Sequence, residues 1–369
     1  MKKNSSLVAG SSENSPEIRY LTGLNLPDEF LCIVHGSTIY ALVSTLEIDR
    51  ARHQAAPGVL VVAERDYGNT RSQIIINAAK SLGITAFDVP GSFPLLLAEK
   101  LRAGGIELHA VEGSFLPERE FKSPAECAAV TATQRAGEAG FARACQVLKE
   151  AAVGKDKQLF WQDAPLTSEI LRAEIDCAIL RCGALPTGTI CAGGRDSAQP
   201  HNAGSGILFA HTPIVMDIFP RSAASGYWGD LTRTVVKGEA PEIVRKAYAA
   251  VLEARECAKA AIAIGVSGRT LHEIADKVLQ KHHFFTGEDN GTPFGFFHGL
   301  GHGVGLEIHE APRLSPRSDS VLQGGEIMTI EPGVYYSEWG GIRLEDLIYL
   351  DREGKTHCLT EAPDFLTLE

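Results

Sequence analysis

At 369 residues the chain is long enough for two domains, and 44% hydrophobic with 22% charged residues is the make-up of a globular protein in water. A formal net charge of −11 excludes the broad basic face that a nucleic acid or an anionic membrane selects, so neither partner is expected. Eight scattered cysteines without a CxxC pair read as buried free thiols of a reducing cytoplasm.

The opening MKKNSSLVAGSSENSPE carries two lysines but no apolar run of signal-peptide length. No stretch approaches the 18 or so apolar residues of a membrane span, and a cytoplasmic location is expected. From Glu17 to about Glu120, short apolar runs alternate with amphipathic segments. Phe30 to His35, Gly36-Ser37 and Thr38 to Ser44 read as a β-hairpin with its turn at the glycine. Val59–Ala63, Thr85–Pro90 and Glu107–Val111 are further strands, and residues 72–82 and 94–104 are helical. This half is α/β with a mixed sheet. Its histidines, His35, His53 and His109, are isolated and read as structural.

The second half opens on a clear signal. Ser123, Pro124 and Glu126 form a capping box that starts a long helix running to about Ala152. A second helix covers Thr167 to Cys182, with Gly183 as its stop, and a third runs from about Pro241 to Ala263. A fourth begins at Thr270, paired with Glu273 in another capping box; Leu271, Ile274, Ala275, Val278 and Leu279 share its apolar face. Such helices need a sheet to cover, and the strands that supply it carry acids.

Residues 213–220 and 227–236 are both strand-like, around the polar run 221–226. Antiparallel pairing about a turn between Ala223 and Ala224 sets Asp217 opposite Asp230, with Cβ atoms about 5 Å apart. The pattern recurs downstream. Symmetric pairing of residues 326–335 with 341–349 about Glu338 sets Glu331 opposite Glu345, unless Pro332 and Gly333 bulge the strand.

Between the two hairpins lies His298-Gly-Leu-Gly-His302-Gly-Val-Gly-Leu-Glu307-Ile-His309-Glu310. Its four glycines disfavour a helix, each by about 1 kcal/mol relative to alanine, and an extended or looping segment is expected. The spacing of His298 and His302 is that of a helical zinc pair, but Gly299 stands where that motif needs glutamate. Four carboxylates crowded together repel, whereas two divalent cations balance their charge, with a neutral imidazole completing the shell and a bridging water readily deprotonated. Such a donor set suits Mn²⁺, Co²⁺, Fe²⁺ or Zn²⁺.

Through these residues the chain resembles the metallopeptidases that include methionine aminopeptidase, Xaa-Pro aminopeptidase and prolidase. The resemblance covers nearly the whole chain. Residues 18–23 (IRYLTG) and the following Leu46-Glu47 resemble a smaller creatinase-type N-terminal domain, and residues 122–126 (KSPAE) the start of the catalytic domain. It implies an α/β (α+β) protein: a mixed α/β domain at residues 1–121, then a pita-bread catalytic domain at residues 122–369, a curved antiparallel sheet covered by helices. The family's five metal ligands fall on Asp217 in VMDIFP, Asp230 in GDLTRT, His302 in HGLGHGVGLEIH, Glu331 in TIEPGVY and Glu345 in GIRLED. Asp217 is then terminal on one ion, His302 and Glu331 on the other, with Asp230 and Glu345 bridging. His201, in AQPHNAGS, matches the family histidine near the scissile nitrogen, and His309 the one near the carbonyl oxygen. His298 and Arg343 match residues of the proline-directed branch.

The resemblance implies an Xaa-Pro aminopeptidase holding two divalent ions, manganese expected and cobalt, zinc or iron allowed, and acting on peptides with proline second. Glu331 shuttles the proton and His309 steadies the oxyanion. A bond before proline has no N–H, so the ring itself must be recognised, with Phe297, Tyr335 or Trp339 as candidates. A prolidase confined to dipeptides, and a non-catalytic binding relative of the same fold, are the alternatives. Family members are often dimeric, and a homodimer is expected.

Overall fold

The computed structural model describes residues 5–369; Lys2 and Lys3, which entered the leader reading, lie outside the described residues. The chain divides into two compact units between Arg119 and Glu120. No helix among the described residues is long and apolar enough to cross a membrane.

The first unit is built on β1 (Ser5–Gly10), α1 (Pro16–Thr22), β2 (Phe30–His35), β3 (Thr38–Val43), α2 (Ile48–Gln54), β4 (Val59–Ala63), α3 (Arg71–Leu82), β5 (Ala86–Pro90), α4 (Leu95–Ala103) and β6 (Glu107–Val111). Its mixed sheet has the order β4-β3-β2-β1-β5-β6. The β2–β3 hairpin pairs His35 with Thr38, and Gly36 takes the left-handed φ of 62° that the turn requires. Ile74, Ile75 and Leu101 pack against Leu7 and Ile33 on one face of the sheet, Ile18 and Ala51 against Val8 and Cys32 on the other. The three isolated histidines make local polar contacts, His35 to Ser5, His53 to the Asp49 carbonyl, and His109 to Glu107 and Asp88.

In the second unit α5 (Pro124–Glu150) carries the expected capping box, and α6 (Ser168–Arg181) is capped by Thr167. The two helices cross closely at Gly140, where a Cβ would lie 2.9 Å from Ile175. Beneath them runs a four-stranded sheet of β7 (Ile190–Gly193), β8 (Ile214–Ile218), β9 (Leu231–Lys237) and β17 (Thr367–Leu368), with Leu148, Ile175, Met216 and Val235 in one core. The other half mirrors this plan. Helices α7 (Glu242–Ala260) and α8 (Gly268–Lys281) share a core with strands of a five-stranded sheet, order β11-β10-β12-β15-β16, and of a separate pair, β13-β14. These strands are β10 (Gly301–Gly303), β11 (Glu310–Leu314), β12 (Ile327–Ile330), β13 (Gly333–Tyr336), β14 (Gly340–Arg343), β15 (Asp346–Leu350) and β16 (Thr356–Cys358).

Three expectations need correction. Helix α8 is capped by Ser267, whose hydroxyl accepts from the Thr270 amide, so Thr270 lies inside the first turn. The apolar face still holds, with Leu271, Ala275 and Leu279 buried. The cysteines are all free thiols, but Cys177, Cys182 and Cys358 are exposed. In the first acidic hairpin, Asp217 pairs with Thr232, because the turn is centred between Ala224 and Ser225. A shift of two residues leaves every side chain on its expected face, so Asp230 still reaches the same side as Asp217.

In the second acidic hairpin the expected register persists: Gly333 faces Arg343 and Ile330 faces Asp346. No bulge displaces it, but the ladder is interrupted at Glu331 and Glu345, whose amides turn to the carbonyls of Leu300 and Thr232. The two acids therefore sit where three strand systems meet.

Candidate active site

A cleft of about 920 Å³ opens in the second unit, lined by Asp217, Asp230, His302, Glu331 and Glu345 together with His201, His298, His309 and Arg343. All five expected metal ligands and the four flanking residues His201, His298, His309 and Arg343 are in it.

The histidine stretch is not helical. It forms β10 between β11 and β12, and Gly301 is required there, since a Cβ would lie 2.0 Å from the Thr329 carbonyl oxygen. The His302 amide donates to Thr329 Oγ1 at 3.1 Å, and that hydroxyl donates to Glu331 Oε1 at 3.2 Å. Both side chains thus face one point. His302 Nε2 lies 3.3 Å from Glu331 Oε1 and 3.6 Å from Asp230 Oδ2, and Nδ1 lies 3.2 Å from the Gly303 carbonyl. Donor atoms of Asp230, His302 and Glu345 lie within 4.8 Å of one another.

Charge in this pocket is unbalanced. Burial and then the neighbouring carboxylates push Asp230 and Glu345 well above the usual carboxylate range. Burial also raises Asp217, against the pull of Arg343, whose Nη2 lies 2.7 Å away. For Glu331 burial is overcome by the hydrogen bond and charge of His302, which hold it down to about 2. One buried guanidinium against four carboxylates leaves room for divalent cations. Oxygen and imidazole donors without thiolate suit hard to borderline ions, so the residues present fit a metal centre.

Around this centre stand three more imidazoles. The His309 ring meets His302 edge-on at 4.4 Å, and burial, then His302, lower its pKa to about 4. His298, lowered by burial to about 4, lies with Nε2 3.0 Å from the Tyr335 hydroxyl. Both are neutral at physiological pH, and a neutral imidazole can still donate an N–H. His201 sits on an exposed loop clamped from α6, where the Arg172 guanidinium donates to the carbonyls of Ala203 and Gly204.

Some contacts around the site gave no signal in the sequence. The Tyr335 hydroxyl lies between His298 and Arg343, 2.9 Å from Arg343 Nη1, while its ring is buried outside the cleft lining. Trp339 stacks on Tyr336, so of the three aromatics expected beside a proline ring only Phe297 lines the cleft. Thr232 donates to Glu345 Oε2 at 2.7 Å and accepts from Arg343 Nε at 3.2 Å. A threonine or tyrosine in a strand is ordinary, and only the fold reveals these roles.

Residues 128–352 match the model of metallopeptidase family M24. The chain is 28% identical to an Xaa-Pro dipeptidase of Pyrococcus horikoshii, over 96% of this chain and 93% of that one. It is 38% identical to an Xaa-Pro dipeptidase of Pyrococcus furiosus over a shorter stretch, 45% of each chain. Its fold is similar to that of an X-Pro aminopeptidase from Thermotoga maritima, with a TM-score of 0.83 at 23% identity, covering 99% and 97% of the two chains.

Proposed function

The chain belongs to metallopeptidase family M24, and we propose that it hydrolyses the bond between an N-terminal residue and a following proline, as an Xaa-Pro aminopeptidase. The observation that carries this reading is the convergence of four carboxylates, one inward imidazole and three flanking histidines on one cleft. The relatives named for Xaa-Pro substrates support the substrate class. A full set of candidate ligands weighs against a non-catalytic binding relative.

In this reading Asp217, Asp230, His302, Glu331 and Glu345 are the residues that would hold the ions. Two divalent ions, manganese the expected pair, supply an acidified water and an electrophile for the carbonyl when bound. The chain's residues do the rest. Glu331, deprotonated in its pocket, takes the proton of the attacking water and passes it to the leaving nitrogen. His309, neutral, donates an N–H to the developing oxyanion. His201 reaches the scissile nitrogen from its exposed loop. His298 and Arg343, joined through the Tyr335 hydroxyl, shape the wall beside the proline. Residues 122–369 carry this chemistry, with residues 1–121 as the creatinase-type domain; a cytoplasmic homodimer completes the proposal.

The second reading, a prolidase confined to dipeptides, is favoured by the names of both Pyrococcus relatives. Hydrolysis of an Xaa-Pro dipeptide and an Xaa-Pro-Yaa tripeptide, compared at matched manganese loading, separates the two. Cleavage of the tripeptide supports the aminopeptidase, and cleavage of the dipeptide alone supports the prolidase. A protein that binds no divalent ion after Mn²⁺ or Co²⁺ is supplied sinks both.

A further inference from the structure

We propose that Gln134 is a positioning residue which fixes Asp230 in the centre by gripping its peptide from helix α5; this rests on the reading of Asp230 as a metal ligand. Asp230 lies one residue ahead of β9, so no ladder partner holds it. The Gln134 side chain takes that partner's place. Its Oε1 accepts from the Asp230 amide at 2.8 Å, and its Nε2 donates to the Asp230 carbonyl at 2.9 Å. Gln134 is fully buried, so neither bond is shared with bulk water.

Two further features show that this contact is built in. Helix and strand approach so closely that a Cβ on Gly229 would lie 2.8 Å from the Gln134 amide nitrogen, and glycine is required there. The second Nε2 hydrogen goes to Thr360 Oγ1 at 3.0 Å, and that hydroxyl accepts from the Leu347 amide at 2.9 Å, two residues beyond Glu345. One carboxamide thus ties the peptide of Asp230 to the strand that follows Glu345. The two carboxylates repel each other; bonds of Thr232 to Glu345 hold the neighbouring backbone, while the grip of Gln134 fixes the Asp230 peptide itself.

The test uses Gln134→Met, which keeps side-chain length but removes the hydrogen bonds, beside Thr360→Val, which loosens the strand but spares the grip. Co²⁺ is titrated into each protein and followed by calorimetry and visible absorption, without substrate. Gln134→Met is expected to weaken Co²⁺ binding roughly tenfold to a hundredfold, to alter the Co²⁺ absorption bands, and to lower kcat more than it raises KM. Thr360→Val is expected to lower the melting temperature and leave Co²⁺ affinity and absorption unchanged. Gln134→Met that binds Co²⁺ with the affinity and spectrum of the unsubstituted protein overturns the inference. Should that variant fail to fold, Gln134→Asn, too short to reach both groups, is read the same way. Unsubstituted protein that takes up no Co²⁺ overturns the metal reading and this inference with it, an outcome distinct from a loss confined to the Gln134 variants.

Discussion

Asp217 stands directly across the β8–β9 ladder from Thr232, and the Thr232 hydroxyl donates to Glu345 Oε2 at 2.7 Å. A neutral donor therefore occupies the position where the symmetric hairpin would have placed a second acid. The acids are brought together from different elements: Asp217 from within β8, Asp230 from the entry to β9, Glu331 and Glu345 from the break in the other hairpin. Crowding of charge is eased along each strand and concentrated at one point.

Thr232→Val tests that role. Valine keeps the branched shape but strands Glu345 Oε2 and Arg343 Nε, a loss of about 1–3 kcal/mol for buried polar groups. A group that orients a metal ligand also costs roughly tenfold in activity. The urea midpoint and kcat are both expected to fall, and a variant matching its parent in both would remove Thr232 from the account.

Asp230→Asn keeps the shape of a residue only 4% exposed and leaves its backbone bonds to Gln134 in place. It removes one of the charges that a dinuclear centre needs. Turnover of Xaa-Pro substrates is expected to vanish while far-ultraviolet circular dichroism stays that of the parent. Near-normal hydrolysis would refute the assignment of Asp230.

Gly301→Ala and Gly299→Ala separate close packing from mere flexibility in the histidine stretch. At Gly301 a Cβ would lie 2.0 Å from the Thr329 carbonyl oxygen, whereas at Gly299 the nearest atom is 3.1 Å away. Alanine at 301 must push β10 off β12 and carry His302 with it, at about 1–3 kcal/mol. A lower melting temperature and weaker metal uptake are expected for Gly301→Ala, with a smaller change for Gly299→Ala. Equal behaviour of the two would mean that the strand shifts freely.

Much of this was legible because the signals were local. Ser123, Pro124 and Glu126 cap α5 without help from the rest of the chain. The symmetry about Glu338 alone gave the register of the second hairpin, as the Gly333–Arg343 pair shows. Strand β1 was missed because Ser5–Gly10 holds a short apolar run among small polar residues; its place beside β2 and β5 depends on partners that lie far along the chain. Thr270 reads as the α8 cap because Glu273 mimics a capping box with it, while the observed bond runs from the Thr270 amide to Ser267. The grip of Gln134 on Asp230 spans 96 residues and leaves no periodicity to read.

Away from the metal centre, His272 makes a pH-dependent contribution that can be checked by melting alone. It lies on α8, 6% exposed, with its ring stacked on Phe296 at a centroid distance of 4.7 Å and Nδ1 buried without a hydrogen-bond partner. Burial lowers its pKa below 6.5, against the pull of Asp276 and Glu273. The unfolded chain therefore takes up the proton first as pH falls. Below about 6.5 the unfolded state binds more protons than the native one, and stability declines until the native ring titrates as well. His272→Phe keeps an aromatic ring on Phe296 and removes the titration. The melting temperature of the parent is expected to drop faster than that of the variant between about pH 7 and pH 5, the gap widening toward acid; parallel curves would show that His272 carries none of the acid sensitivity.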